Sequence, residues 1–158
     1  PSKSFNTAGL QIANIICNNL ETRRRIDRAI NINEVCDVNP FGPIALEAAY
    51  NEGEEWIKEL NQYLYQNYLT LKKFFEDHLP LLEVMRLEGT YLVWVDIRNT
   101  GLPSDKLTEK LRTEGKVLVN SGTMYGKEAG EGYIRINIAC PRSRMLQGLK
   151  RIAAVLGK

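Results

Sequence analysis

Residues 133–140 read Tyr-Ile-Arg-Ile-Asn-Ile-Ala-Cys. A strand sends alternate side chains to opposite faces. Ile134, Ile136, Ile138 and Cys140 therefore share one side, and Tyr133, Arg135, Asn137 and Ala139 the other. The isoleucine side has to pack under helices, which leaves a guanidinium and a carboxamide next to each other on a rigid support. For any single arginine the ordinary role on such a face is solvation. The chemical alternative is an anion clamp, because the planar fork of arginine matches a carboxylate bidentately. Pro141-Arg142 follows at once and adds a second guanidinium. At the other end, Lys3 lies in Ser2-Lys3-Ser4-Phe5-Asn6, directly before an apolar stretch. A lysine there is by default a solvated surface group. Its chemical alternative is an amine made available for imine formation.

The elements that must position these groups can be read from periodicity. Between residues 8 and 20 the apolar set Leu10, Ile12, Ala13, Ile15, Ile16, Cys17 and Leu20 predicts a mostly buried helix. A polar, charged stretch runs from there to about Asn39. Asn39-Pro40-Phe41-Gly42-Pro43 is a break in which Asn can cap and Pro fits a first turn. Helical spacing then holds over residues 46–79 and ends at Pro80. At 1.5 Å per residue that helix would be roughly 50 Å long unless Gly53 kinks it, a length suited to bridging two domains. Residues 82–87 and 91–97 predict two strands joined at Glu88-Gly89-Thr90. Pro103-Ser104-Asp105 starts a short helix that Gly115 stops. Residues 117–119 and 133–140 predict two further strands. Ser143 is expected to cap a last helix with Met145, Leu149, Ile152 and Leu156 on one face. The fold class is α+β: a small, mostly antiparallel sheet covered by helices, preceded by a long interdomain helix.

Composition removes several function classes. The 158 residues are 44% hydrophobic and 25% charged, enough for a core. The net charge of +2 gives no footprint for nucleic acid. Arg23-Arg24-Arg25 is the one tight basic cluster and reads as a solvated helix face. Cys17, Cys36 and Cys140 lack metal-ligand spacing and read as reduced packing thiols of a cytoplasmic protein. The single His78 falls at a helix end, where a surface role facing the dipole is expected rather than a metal or triad role. No apolar run is long enough to span a membrane.

Together PSKSFNTAGL, NPFGPIALEAAYNEGEEWIKELNQYL, EGTYLVWVDIR and VNSGTMYGKEAGEGYIRINIACPRS resemble the aminotransferase class I/II proteins of pyridoxal-phosphate (PLP) fold type I. Within them the likeness is to the cystathionine β-lyase-like C–S lyases, and it runs over essentially the whole chain. It implies that residues 1–38 are the end of a large PLP-binding domain and that residues 39–158 are the interdomain helix and small C-terminal domain. The segment carrying the acid that pairs with the pyridine nitrogen and the aromatic that stacks on the ring is expected upstream of Pro1.

Residue by residue, Lys3 matches the lysine that holds PLP covalently, and Ser2 a small polar position beside the cofactor phosphate. Arg135 matches the arginine that binds the substrate α-carboxylate, with Asn137 in the same motif. Many aminotransferases of this fold carry a phosphate-binding arginine eight residues after the lysine, where this chain has Gln11. The resemblance implies PLP as cofactor, a small amino acid as substrate, and a homodimer in the full-length parent. Lyase and aminotransferase chemistry would use Lys3 and Arg135 alike. A non-catalytic binding or assembly unit stays open as a third reading. The chain by itself is expected to fold from about Asn39 onward, with residues 1–38 displaced, poorly packed or docked on a neighbouring copy, apolar surface left exposed, and the fragment self-associating.

Overall fold

The computed structural model describes residues 1–34 and 37–157, so Cys36 lies outside the described residues. The chain divides into two compact units, Pro1–Asn61 and Gln62–Lys158.

The first unit contains α1 (Leu20–Asn31), α2 (Phe41–Glu52) and the beginning of α3 (Glu54–His78). The helix expected over residues 8–20 does not form. A single 3-10 turn covers Ala8–Leu10, Gln11 takes a left-handed φ of 50°, and regular helix begins only at Leu20. A short apolar run cannot by itself distinguish helix from extended chain. Here β-branched Ile12, Ile15 and Ile16 resist helix, and asparagines at 14, 18 and 19 compete for the backbone. Asn19 does so openly, its side-chain oxygen accepting from Thr22 N at 2.8 Å to cap α1. The burial expected for this stretch fails as well, since Ile15 and Ile16 are 64% and 90% exposed and only Ile12 is buried. Arg23, Arg24 and Arg25 are exposed on α1, in keeping with a solvated face.

The long helix is broken where Gly53 falls, giving α2 and α3 in place of one rod. A Cβ on Gly53 would come within 2.2 Å of the Phe5 ring. The break is therefore the seat for that ring. Asn39 caps α2, its Oδ1 accepting from Phe41 N at 3.1 Å and Gly42 N at 2.9 Å, while its Nδ2 donates to Leu10 O.

In the second unit four strands, β1 (Glu83–Val84), β2 (Leu92–Asp96), β3 (Asn120–Ser121) and β4 (Tyr133–Asn137), form an antiparallel sheet in the order β1-β2-β4-β3. The isoleucine face is buried as alternation requires, Ile134 and Ile138 completely. It packs with Leu71 and Phe75 of α3, Leu107 and Leu111 of α4 (Ser104–Thr113), and Leu149 and Ile152 of α5 (Arg142–Leu156) in one core.

Two expectations shift. The strand sought at 117–119 lies at Asn120–Ser121, because Val117 N donates to Leu111 O at 3.1 Å and so completes the end of α4. Ser143 makes no cap; α5 starts at Arg142 after Pro141, and its buried stripe is Met145, Leu149, Ile152 and Val155, with Leu156 half-buried. Among the described residues no helix is long and apolar enough to cross a membrane.

Candidate functional site

β4 presents Tyr133, Arg135 and Asn137 on the face opposite the isoleucines. Arg135 stands on the same rung as Trp94 of β2 and Asn120 of β3. Its guanidinium lies over the ring of Tyr125, 4.0 Å from the centroid, a contact worth about 0.5–1 kcal/mol at an exposed site. Among the described residues no carboxylate lies within ion-pair distance of it. Tyr125 is itself held on two sides: Asn120 Nδ2 donates to its hydroxyl at 2.7 Å, and Trp94 meets its ring edge-on at 5.5 Å. Met85, Trp94, Tyr125, Ala129, Gly130 and Tyr133 line an open, uncharged pocket of about 420 Å³ along this face.

The 3-10 turn Gly122–Tyr125 that delivers Tyr125 depends on the start of α4. Ser121 Oγ and Thr123 Oγ1 each donate to Asp105 Oδ1 at 2.6 Å. These bonds, the one from Ser121 foremost, hold the Asp105 carboxyl below the usual range. Buried Ser104 accepts from Gly132 N at 2.8 Å and Tyr133 N at 3.1 Å through Oγ, and its own N–H donates to Glu131 Oε1 at 2.7 Å. Gly122 and Gly130 pass so closely that a Cβ on Gly130 would sit 2.0 Å from Gly122 O. In the sequence Pro103-Ser104-Asp105 signals a helix start and nothing more. Its second use, anchoring a loop across the sheet, depends on long-range contacts that no local pattern reveals.

Asn137 is exposed, and its Oδ1 accepts from Ala139 N at 2.8 Å, turning the chain out of β4. Arg142 does not join Arg135 as a free second guanidinium. Its Nε donates to Oδ1 of fully buried Asn67 at 3.0 Å, and it covers the Tyr63 ring at 5.3 Å. Asn67 Nδ2 donates in turn to Ile138 O and Cys140 O, tying α3 to the end of β4. His78 ends α3, its ring tilted 51° against that of Phe74 with the centroids 4.5 Å apart. Cys17 and Cys140 are half-buried free thiols, and burial pushes the Cys140 thiol up.

Ser2 and Lys3 lie in the first unit, in a tight turn. Phe5 N donates to Pro1 O at 2.9 Å, and Thr7 N to Ser2 O at 3.1 Å. Trp56 Nε1 donates to Ser4 O at 3.0 Å, and Phe5 meets Tyr50 edge-on at 6.4 Å. These contacts dock residues 1–12 on α2 and the start of α3, yet Ile12 is the one large apolar side chain they bury among the described residues of this unit. Lys3 is exposed, and its amine has no ionic partner among the described residues. Thr7 Oγ1 is buried and unpartnered. Gln11 is exposed at the left-handed close of the following turn.

A family model described as Aminotransferase class I and II matches residues 1–152. Cystathionine beta-lyase PatB of Bacillus subtilis (strain 168) is 36% identical over 99% of this chain and 40% of its own length. Cystathionine beta-lyase of Corynebacterium glutamicum is 36% identical over 98% of this chain and 40% of its own. Among solved structures, cystalysin from Treponema denticola, which contains pyridoxal 5'-phosphate, superposes with a TM-score of 0.94 at 30% identity, covering 99% of this chain and 40% of that one. The PLP-bound C-S lyase from Staphylococcus hominis gives 0.87 at 34% identity with the same coverage. The chain thus spans about 40% of the length of the relatives it matches.

Proposed function

Because the chain belongs to the aminotransferase class I and II family, we propose that it supplies the C-terminal part of a PLP-dependent C–S β-lyase. The enzyme would split cystathionine and related cysteine thioethers into pyruvate, ammonia and a thiol. In this reading residues 1–38 close a larger cofactor-binding domain, residues 39–158 form the connecting helix and small domain, and the full-length parent is a cytoplasmic homodimer. The observation that carries it is the likeness to cystathionine β-lyases at 36% identity over nearly the whole chain.

The residues at hand suit the cofactor. Lys3 offers an exposed, unpaired amine, and the same turn holds a buried hydroxyl, Thr7 Oγ1, with no partner of its own. Lys3 would hold the cofactor covalently, and Ser2 would lie beside its phosphate. When bound, PLP supplies an electron sink for the pair left on the substrate Cα. Lys3 Nζ, released when the substrate amine takes its place on the cofactor, would then take the Cα proton as general base. Arg135 holds the α-carboxylate with its unpaired donors, and the Asn137 amide nitrogen offers a further donor on the same strand. Loss of the Cβ thiolate completes the elimination, and water releases pyruvate and ammonia.

The full-length protein, given cystathionine and no 2-oxo acid, should form pyruvate. Activity that strictly needs a 2-oxo acid would make it an aminotransferase instead. Borohydride reduction should fix a phosphopyridoxyl group on the peptide containing Lys3, read by mass. Absence of label anywhere on the protein would support a non-catalytic binding unit. The 158-residue chain alone should neither bind PLP tightly nor turn over.

A further inference from the structure

We propose that Tyr125 is the positioning residue for Arg135: its ring holds the flat face of the guanidinium and leaves the in-plane N–H donors free for a carboxylate. The inference rests on the reading of Arg135 as the carboxylate-binding group.

A guanidinium has five N–H donors, all in its plane, and two faces that carry none. A carboxylate partner occupies the edge, whereas an aromatic ring occupies a face. The second unit shows both arrangements. Arg98 covers the Tyr133 ring at 5.5 Å, yet its edge is spent on Asp96. Its Nε donates to Oδ1 at 3.0 Å and Oδ2 at 2.9 Å, and its Nη2 to Oδ2 at 2.5 Å. That arginine is neutralised within the fold. Arg135 has the face contact, tighter at 4.0 Å, and no acid at its edge among the described residues. An ion pair would fix the guanidinium equally well but would compete with any incoming anion. A ring fixes it without competing.

The ring is also unusually well held for a side chain that is 46% exposed. The Asn120 amide fastens its hydroxyl, Trp94 blocks one edge, and Asp105 pins the turn beneath it through Ser121 and Thr123. Asn120 and Trp94 flank Arg135 on its own rung of the sheet. Cation, ring and the two groups that hold the ring thus form one cluster.

The test compares Tyr125→Leu, which keeps bulk without a π face, with Tyr125→Phe, which keeps the face and loses the hydroxyl. In the PLP-loaded full-length enzyme, Tyr125→Leu should raise KM for the amino acid about two- to fivefold with little change in kcat. The preference for the amino acid over its amide, which lacks the carboxylate, should fall by the same factor. Tyr125→Phe should recover most of both. In the 158-residue chain, the Arg135 Hε proton resonance should lie upfield in the native and Phe forms and return to the ordinary position in Tyr125→Leu. This readout is independent of turnover and also shows whether the variant is folded. A native KM and an undiminished amide discrimination in Tyr125→Leu, beside an Arg135→Ala variant that loses that discrimination, would overturn the positioning role and leave the carboxylate site standing. An Arg135→Ala variant that still discriminates would overturn both.

Discussion

The turn that carries Lys3 and the strand that carries Arg135 are built by different means. In the first unit Ile12 is the sole buried large apolar side chain among the described residues, and Ile15, Ile16, Phe41, Ile44, Tyr50 and Trp56 are all more than half exposed. Its lysine turn is held by backbone carbonyls, one indole N–H and the fit of one ring into one glycine. The second unit sets Arg135 on a sheet whose reverse face is sealed by completely buried side chains from α3, α4 and α5. Burying each such side chain contributes about 1.5–3 kcal/mol, so the arginine stands on a platform with its own stability. The lysine turn has little core to lean on within its unit. In the proposed roles, a covalent link at Lys3 would tolerate such a mount because the bond itself fixes the distance, whereas a hydrogen-bonding clamp at Arg135 would have to be rigid before its ligand arrives.

The largest effect that could break this contrast is on turnover. Lys3→Ala in the full-length enzyme should lower kcat by at least about 10²–10⁴-fold, the usual contribution of a positioned general base, and should erase the borohydride-fixed label. The thermal midpoint of the chain should not move, because the Lys3 side chain has no ionic partner to lose among the described residues. A fall in that midpoint would show that the lysine is structural.

Next in size is stability. Leu111→Ala removes a completely buried side chain of the second unit and should cost about 2–5 kcal/mol in chemical denaturation. Ile16→Ser, at a side chain 90% exposed, should change stability by no more than about 0.5 kcal/mol while improving solubility. Equal costs at the two sites would erase the difference between the units.

A smaller effect separates ring fit from general packing in the first unit. Gly53→Ala places a methyl 2.2 Å from the Phe5 ring and 2.3 Å from Ala49 O and should cost about 1–3 kcal/mol as overpacking. The Trp56 indole N–H resonance, bonded to Ser4 O in the native chain, should shift with it. Adding Phe5→Ala should recover part of the cost, and the double-mutant cycle measures how much of the break at Gly53 exists to seat that ring. Strictly additive costs would show that the ring plays no part.

What the sequence disclosed follows the same division. Alternation along 133–140 separated the Arg135 face from the isoleucine face, and the helical stripes of α4 and α5 were legible, because a sealed core imposes period on its sequence. The segment over residues 8–20 misled for the converse reason. An apolar run mostly exposed in its own unit has no face to define, so local backbone preferences, Asn19 and left-handed Gln11 among them, decide its form. Tyr125 escaped notice, and Asp105 read only as part of a helix start, because the role of Asp105 depends on partners sixteen or more residues distant along the chain, and that of Tyr125 on a turn brought against the rung that pairs Asn120 with Arg135. Lys3 drew notice by its place before an apolar run, but only the motif likeness gave it a role, since a lysine in a tight turn has no periodic signature.

The smallest expected effect is on acid sensitivity, and it falls on one side of the comparison only. Asp105 is held below the ordinary carboxylate value of 3.8 by its hydrogen bonds from Ser121 and Thr123. A carboxyl whose folded pKa is depressed contributes stability that is fully present above the unfolded value and lost as pH falls through the folded one. The Gly122–Tyr125 turn should therefore loosen below about pH 4. Asp96, lowered by Arg98, and Glu109, lowered by Arg112, respond in the same direction, so Asp105→Asn should flatten the acid limb of the second unit without abolishing it. Among the described residues the bonds that hold the lysine turn, to Pro1 O, Ser2 O and Ser4 O, involve no carboxylate. Followed by NMR from pH 6 to 3, the Thr123 and Tyr125 amide resonances should move before the Trp56 indole does, and Asp105→Asn should reduce that early movement. If the indole moves in step with them, acid acts on the chain as a whole, and the turn beneath Tyr125 has no titration of its own.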